Sequence, residues 1–165
     1  HIGIATTTYL FEGEIMHRDS LGVVQPIQAG AVNLMVAGRG IVHSERAGAD
    51  LDELSHLHGI QSWIALPVAE QEREPAFTHY SAAQLPELDV AGARVRVIMG
   101  SAYGERSPVQ TFSDTLYLDC DLRAGAELLL PEAVEELAFY VAEGSVSVGD
   151  KAIATGAMAV ACPLS

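Results

Sequence analysis

The sequence predicts an all-β fold, and three observations carry that prediction. Short runs rich in β-branched and aromatic residues recur along the chain, and glycine-bearing turns separate them. No stretch keeps the 3.6-residue apolar period of a helix for long. Many short strands at regular spacing make a sandwich or a barrel.

In chain order the predicted strands are Ile4 to Phe11, Gly22 to Ile27, Ala31 to Val36, Gly59 to Leu66, Arg94 to Met99, Leu116 to Leu122, Leu137 to Ala142 and Ser145 to Val148. Turns fall at Glu12-Gly13, Ala29-Gly30, Gly38-Arg39-Gly40, Ala91-Gly92, Ala124-Gly125, Glu143-Gly144 and Thr155-Gly156. Ser81 to Pro86 and Pro131 to Glu136 suit a helical turn at most. Asp50 to Glu53 and Ala69 to Glu74 read as surface loops.

An internal repeat organises these strands. Thr8 to Ile15 (TYLFEGEI) matches Phe139 to Val146 (FYVAEGSV), about 130 residues later. Ile27 to Val32 (IQAGAV) then matches Ile153 to Met158 (IATGAM), in the same order. The pattern is that of one β domain present twice. All 6 histidines fall within the first copy, the last being His79, so any histidine chemistry belongs there.

Composition narrows the classes of partner. Apolar residues make up 49% of the chain and charged residues 19%, as in a compact globular protein. The longest apolar runs fall far short of the ~18–20 residues a membrane span needs. A net charge of −13, with 9 basic residues against 22 acidic ones, disfavours direct nucleic-acid binding. Cys120 and Cys162 lie far apart and form neither a zinc pattern nor a disulfide framework. Two ordinary buried thiols in a reducing cytoplasm account for them. The chain starts at His1 without an initiator Met and stops at Ala161 to Ser165 without an evident terminating element. It is therefore expected to be incomplete at both ends.

The stretch Gly38 to Glu45 (GRGIVHSE) carries the chemistry. On a strand, His43 and Glu45 point to one face while Val42 and Ser44 point to the other. A carboxylate aimed into an apolar interior needs a partner or a metal. With further histidines, this pair suits a divalent metal. A surface or hydrogen-bonded His/Glu pair is the plainer alternative that this spacing alone leaves open. His17 reads as a turn residue hydrogen-bonded to Asp19 or Ser20, and His56 as exposed. His58 reads as a residue able to orient a ligand, and His79 as structural. Gln61 and Met35 are candidates to line a pocket, Met35 more readily serving as core. Arg39 suits an internal ion pair with a carboxylate.

Longer motifs then point to a family. His1 to Gly22 and Pro26 to Glu45 resemble the N-terminal signature of the pirins, a branch of the cupins. His58 to Pro67, Glu74 to Tyr80, Ser107 to Val109 and Thr115 to Asp119 follow in matching order. The resemblance implies two tandem cupin β-barrels of jelly-roll type. Residues 1–80 would form an N-terminal barrel with a metal site, and residues 81–165 a truncated C-terminal barrel without one. It also implies a four-ligand site built from an H-x-H pair and an H-x-E pair. His1 falls on the second His of the former, and His43 and Glu45 fall on the latter. The remaining family ligand would lie upstream of His1.

The resemblance further implies a single divalent metal, Fe(II) first, with Mn, Co, Ni, Cu or Zn as alternatives. It implies an activity like quercetin 2,3-dioxygenase, in which O₂ opens a flavonol and carbon monoxide leaves. Glu45 would serve there as the catalytic base. The alternative is an iron- or redox-responsive regulator that binds transcription factors or metabolic enzymes. Fold resemblance alone does not select the substrate.

Overall fold

The structure is a computed structural model that describes residues 1–48, 56–131 and 136–161. The loop expected at 50–53, most of the helical turn expected at 131–136, and Cys162 lie outside the described residues. The described residues are almost entirely strand, turn and loop, so the all-β expectation holds. Among them, no helix is long and apolar enough to cross a membrane.

Seven strands build the first part of the chain. They are β1 (Ile4–Glu12), β2 (Glu14–Asp19), β3 (Val24–Gln28), β4 (Val32–Val36), β5 (His43–Ala47), β6 (His58–Ala65) and β7 (Ala76–Tyr80). They form two antiparallel sheets, one of order β6-β1-β4-β7 and one of order β3-β2-β5. Further strands follow: β8 (Glu87–Val90), β9 (Ala93–Met99), β10 (Ser101–Ala102), β11 (Glu105–Arg106) and β12 (Tyr117–Leu122). Of these, β12, β9 and β8 pair into a three-stranded sheet, and β10 and β11 form a small hairpin. The expected turn at Ser81 to Pro86 is a 3-10 turn, Ala82–Gln84, closed by a Ser81/Gln84 capping box.

β1 is buried on both faces, and its alternation divides two interiors. Ala5 and Tyr9 face one way, into a core with Val32, Leu34, Val36, Ile98, Met99 and Val109. Thr6, Thr8 and Leu10 face the other way, toward the β3-β2-β5 sheet, where Leu10 packs with Ile27, Ala31 and Ile15. Met35, Ala37, Ile41 and Phe77 form a further apolar cluster. In the first core the Tyr9 hydroxyl, itself buried, donates to Asp119 Oδ2 at 2.6 Å and accepts from Arg96 at 3.2 Å.

Contacts divide the chain into two compact units, His1–Leu128 and Leu129–Ser165. The second holds β13 (Leu137–Tyr140), β14 (Ser145–Val148), β15 (Lys151–Ala154) and β16 (Met158–Ala161). Its pairing reproduces the repeat read from the sequence: β13 pairs with β16 as β1 does with β4, and β14 pairs with β15 as β2 does with β3. Ile15 opposes Ile27, and the matching Val146 opposes Ile153. The Gly30 amide donates to the Leu10 carbonyl at 2.8 Å, and the Gly156 amide to the Val141 carbonyl at 2.8 Å. Both glycines sit at positive φ, +78° and +77°, which is why the repeat keeps glycine at this turn.

Several strands lie outside those expected from the sequence: β2, β7, β8, the β10 and β11 hairpin, β15 and β16. The β2 finding corrects the reading of His17 as a turn residue, since His17 lies inside a strand and is 1% exposed. Its hydrogen bond to Asp19 is present as expected.

Burial pushes the Cys120 thiol up to about 11, with the Asp119 carboxylate adding to the shift. At pH 8 almost none of it is thiolate, the nucleophilic form. Alkylation of Cys120 by iodoacetamide, followed by peptide mass spectrometry, is expected to run about 100-fold slower than for a free thiol. It should accelerate as the pH approaches 11.

Candidate metal centre

The centre arises from cross-strand register. In the β2–β5 pair, His17 opposes Glu45 and Asp19 opposes His43. Directly opposed residues of an antiparallel pair share a face, so all four side chains project from one side of the sheet. His17, stacked on Phe77 at 4.3 Å, and Glu45, bonded to Thr8, show that this side meets the β6-β1-β4-β7 sheet. His43 and Glu45 therefore share a face as the H-x-E spacing requires.

The turn before β5 is fixed by backbone. Gly38 adopts φ +51°, and a Cβ there would clash with the Arg73 carbonyl. The amide of Arg39 donates to that same carbonyl at 2.9 Å. The Arg39 guanidinium pairs with a carboxylate of the chain as expected, Glu74 at 2.6 Å, but the pair is exposed rather than internal.

Each polar group has a defined setting. Asp19, with its side chain fully buried, accepts His17 Nε2 at 3.0 Å through Oδ2. Its Oδ1 accepts the amides of Leu21 and Val23, at 2.9 and 3.1 Å. This leaves His17 Nδ1 facing Glu45 Oε1 at 3.9 Å. Glu45 also accepts the Thr8 hydroxyl at 3.4 Å and Gln61 Nε2 at 2.8 Å. Burial holds the His43 imidazole below the usual histidine range; the Glu45 carboxylate opposes that shift, and His17 adds to it.

Donor atoms of His17, His43 and Glu45 lie within 4.8 Å of one another. His43 Nδ1 is buried and has no hydrogen-bond partner among the described residues. A largely neutral imidazole with an orphaned nitrogen, beside a carboxylate and a second imidazole, is a donor set that fits a divalent metal.

The expected site residues fare differently. His43 and Glu45 are brought together. The ring of His1 stands 4.9 Å from that of His43, centroid to centroid. His17 enters the compact group in a place the sequence reading gave to a turn. The missed signal is the spacing of His17 and Asp19, two apart like His43 and Glu45. His58 packs on Phe11, on the face of β6 turned away from the centre, so it does not orient a ligand there. His79 bonds Asn33 at 2.7 Å, and His56 is exposed as expected.

A histidine–carboxylate group held between two antiparallel sheets defines a β protein with a candidate metal centre. The pirin family profile matches residues 1–64. A pirin-like protein from Caulobacter vibrioides is 42% identical over 164 residues, covering 99% of this chain and 57% of its own length. The chain thus spans little more than half of that relative. The crystal structure of a quercetin 2,3-dioxygenase from Acinetobacter baumannii superposes with a TM-score of 0.89 at 34% identity, over 97% of this chain and 52% of that one. A bacterial pirin from Escherichia coli, solved with nickel(II), shares the fold at a TM-score of 0.61 and 21% identity, over 99% of this chain and 66% of its own. The chain resembles the pirin family along nearly its whole length.

Proposed function

We propose that this chain is the metal-bearing part of a flavonol-cleaving dioxygenase of the quercetin 2,3-dioxygenase type. The observation that carries the reading is the inward His43/Glu45 pair, with the orphaned, buried Nδ1 of His43 beside it. The 34% identity to the Acinetobacter enzyme supports it. His1, His43 and Glu45 would hold one divalent metal, Fe(II) first, with His17 at their side. Bound there, the metal supplies Lewis acidity that lowers the pKa of a coordinated hydroxyl.

The chain's own groups do the rest. Glu45 takes the proton of the flavonol 3-hydroxyl, and its free acceptor capacity suits that role. Thr8 and Gln61 fix the carboxylate from the neighbouring sheet, so little reorganisation is needed when the proton moves. Asp19 holds the His17 ring in place. The same reading takes residues 1–80 as a metal-bearing cupin barrel and residues 81–165 as part of a second, metal-free one, and places the protein in the cytoplasm. The confinement of histidine to the first copy supports that division of chemistry.

The test uses the full-length protein that carries this chain, loaded with iron and assayed for metal content. Quercetin should drive O₂ uptake matched by release of carbon monoxide in equal amount. Iron-replete protein that takes up no O₂ with quercetin would refute the reading.

A further inference from the structure

The face of β6 that carries Gln61 also carries an exposed aromatic residue that the histidine–carboxylate group does not explain. β6 is an edge strand of its sheet, and its side chains alternate. Ile60 and Ile64 turn toward the same face as Tyr9 and Ala5, while Gln61 and Trp63 oppose Thr8 and Thr6 on the face of the centre. Gln61 bonds Glu45. Two residues further along, Trp63 stands 67% exposed.

An inward-facing tryptophan ordinarily contributes a large buried area. Here the indole meets the His1 imidazole edge-on, with centroids 5.0 Å apart, and His1 in turn neighbours His43. Most of the indole is left exposed beside His1, on the face that also carries Gln61. Same-face positions on a strand lie about 7 Å apart, comparable to the offset between two linked aromatic rings. A ligand bound through its oxygens near Glu45 would therefore carry its second ring to Trp63.

We propose that Trp63 is a specificity-determining residue: its indole packs on the ring of a planar aromatic ligand distal to the metal-binding oxygens. The centre then favours multi-ring over single-ring ligands that bear the same vicinal oxygens. This rests on the metal-centre reading given above.

Nickel(II)-loaded full-length protein and its Trp63→Ala and Trp63→Phe variants, each with metal content measured, are titrated without oxygen by calorimetry. The probes are quercetin and maltol, a single-ring 3-hydroxy-4-pyrone that carries the same hydroxyl and neighbouring carbonyl but no second ring. Trp63→Ala should keep its nickel, bind quercetin about tenfold more weakly and leave maltol affinity unchanged. Trp63→Phe should recover most of the loss. Equal weakening of both probes, unchanged quercetin affinity, loss of nickel from Trp63→Ala, or no quercetin binding by the parent protein each overturns the assignment. Quercetin binding that depends on Trp63, without O₂ uptake by the iron form, would sink the dioxygenase reading and leave Trp63 in its role.

Discussion

Replacing Glu45 with glutamine is expected to cut quercetin-dependent O₂ uptake by at least about 100-fold. Glutamine keeps the size of the side chain and can still accept the Thr8 hydroxyl. It cannot take a proton from a substrate hydroxyl at neutral pH. It also turns an amide toward Gln61 Nε2, which now donates to Glu45 Oε2 at 2.8 Å, so two donors would face each other. Oxygen-electrode rates and far-UV circular dichroism on the same samples separate lost chemistry from lost fold. Iron content divides the effect further: full iron with lost turnover indicates proton transfer, and lost iron indicates coordination. Retained turnover would remove Glu45 from the mechanism.

Leu34→Ala is expected to destabilise the protein by about 3 kcal/mol, read as a lower midpoint in urea unfolding. Leu34 is 2% exposed in the core that Ile98 and Met99 also line. It sits on β4 between Thr7 of β1 and Thr78 of β7, so the sheet cannot easily close over a void there. Its side chain points away from the centre, whereas its neighbour Met35 lies on the opposite face with Phe77. Metal content of the folded variant should therefore match that of the parent. A cost well below 1 kcal/mol would show that this core relaxes around the missing methyl groups.

The sequence was most readable where strands bury apolar side chains, and least readable where they carry the site. β1, β4 and β9 announce themselves through Thr, Val, Ile and Tyr runs. β2 does not, because two of its inward positions hold His17 and Asp19, and the apolar alternation that marks a half-buried strand is broken there. β5 suffers the same way through His43 and Glu45, so its strand character was legible only from the H-x-E spacing. β7 was hidden by a polar approach and by His79, which answers Asn33 across the sheet. Most inward polar groups in these strands find a partner: His17 bonds Asp19, Glu45 accepts from Thr8 and Gln61, and His79 meets Asn33, while His43 Nδ1 stays unpaired. Of those partners, Thr8, Gln61 and Asn33 are distant in sequence and carry no local signal. The repeat was legible because its glycine turns and cross-strand apolar pair are fixed by backbone geometry.

That repeated hairpin has an evolutionary consequence. One ancestral unit, copied in tandem, would pass the same turn and the same Ile15/Ile27 type of pairing to both descendants. The descendants were then free to diverge in what they place on that scaffold. The earlier copy carries every histidine of the chain, and the later copy repeats the hairpin, with Val146 against Ile153, on residues that include none. Frame and chemistry are thereby separable within a single chain.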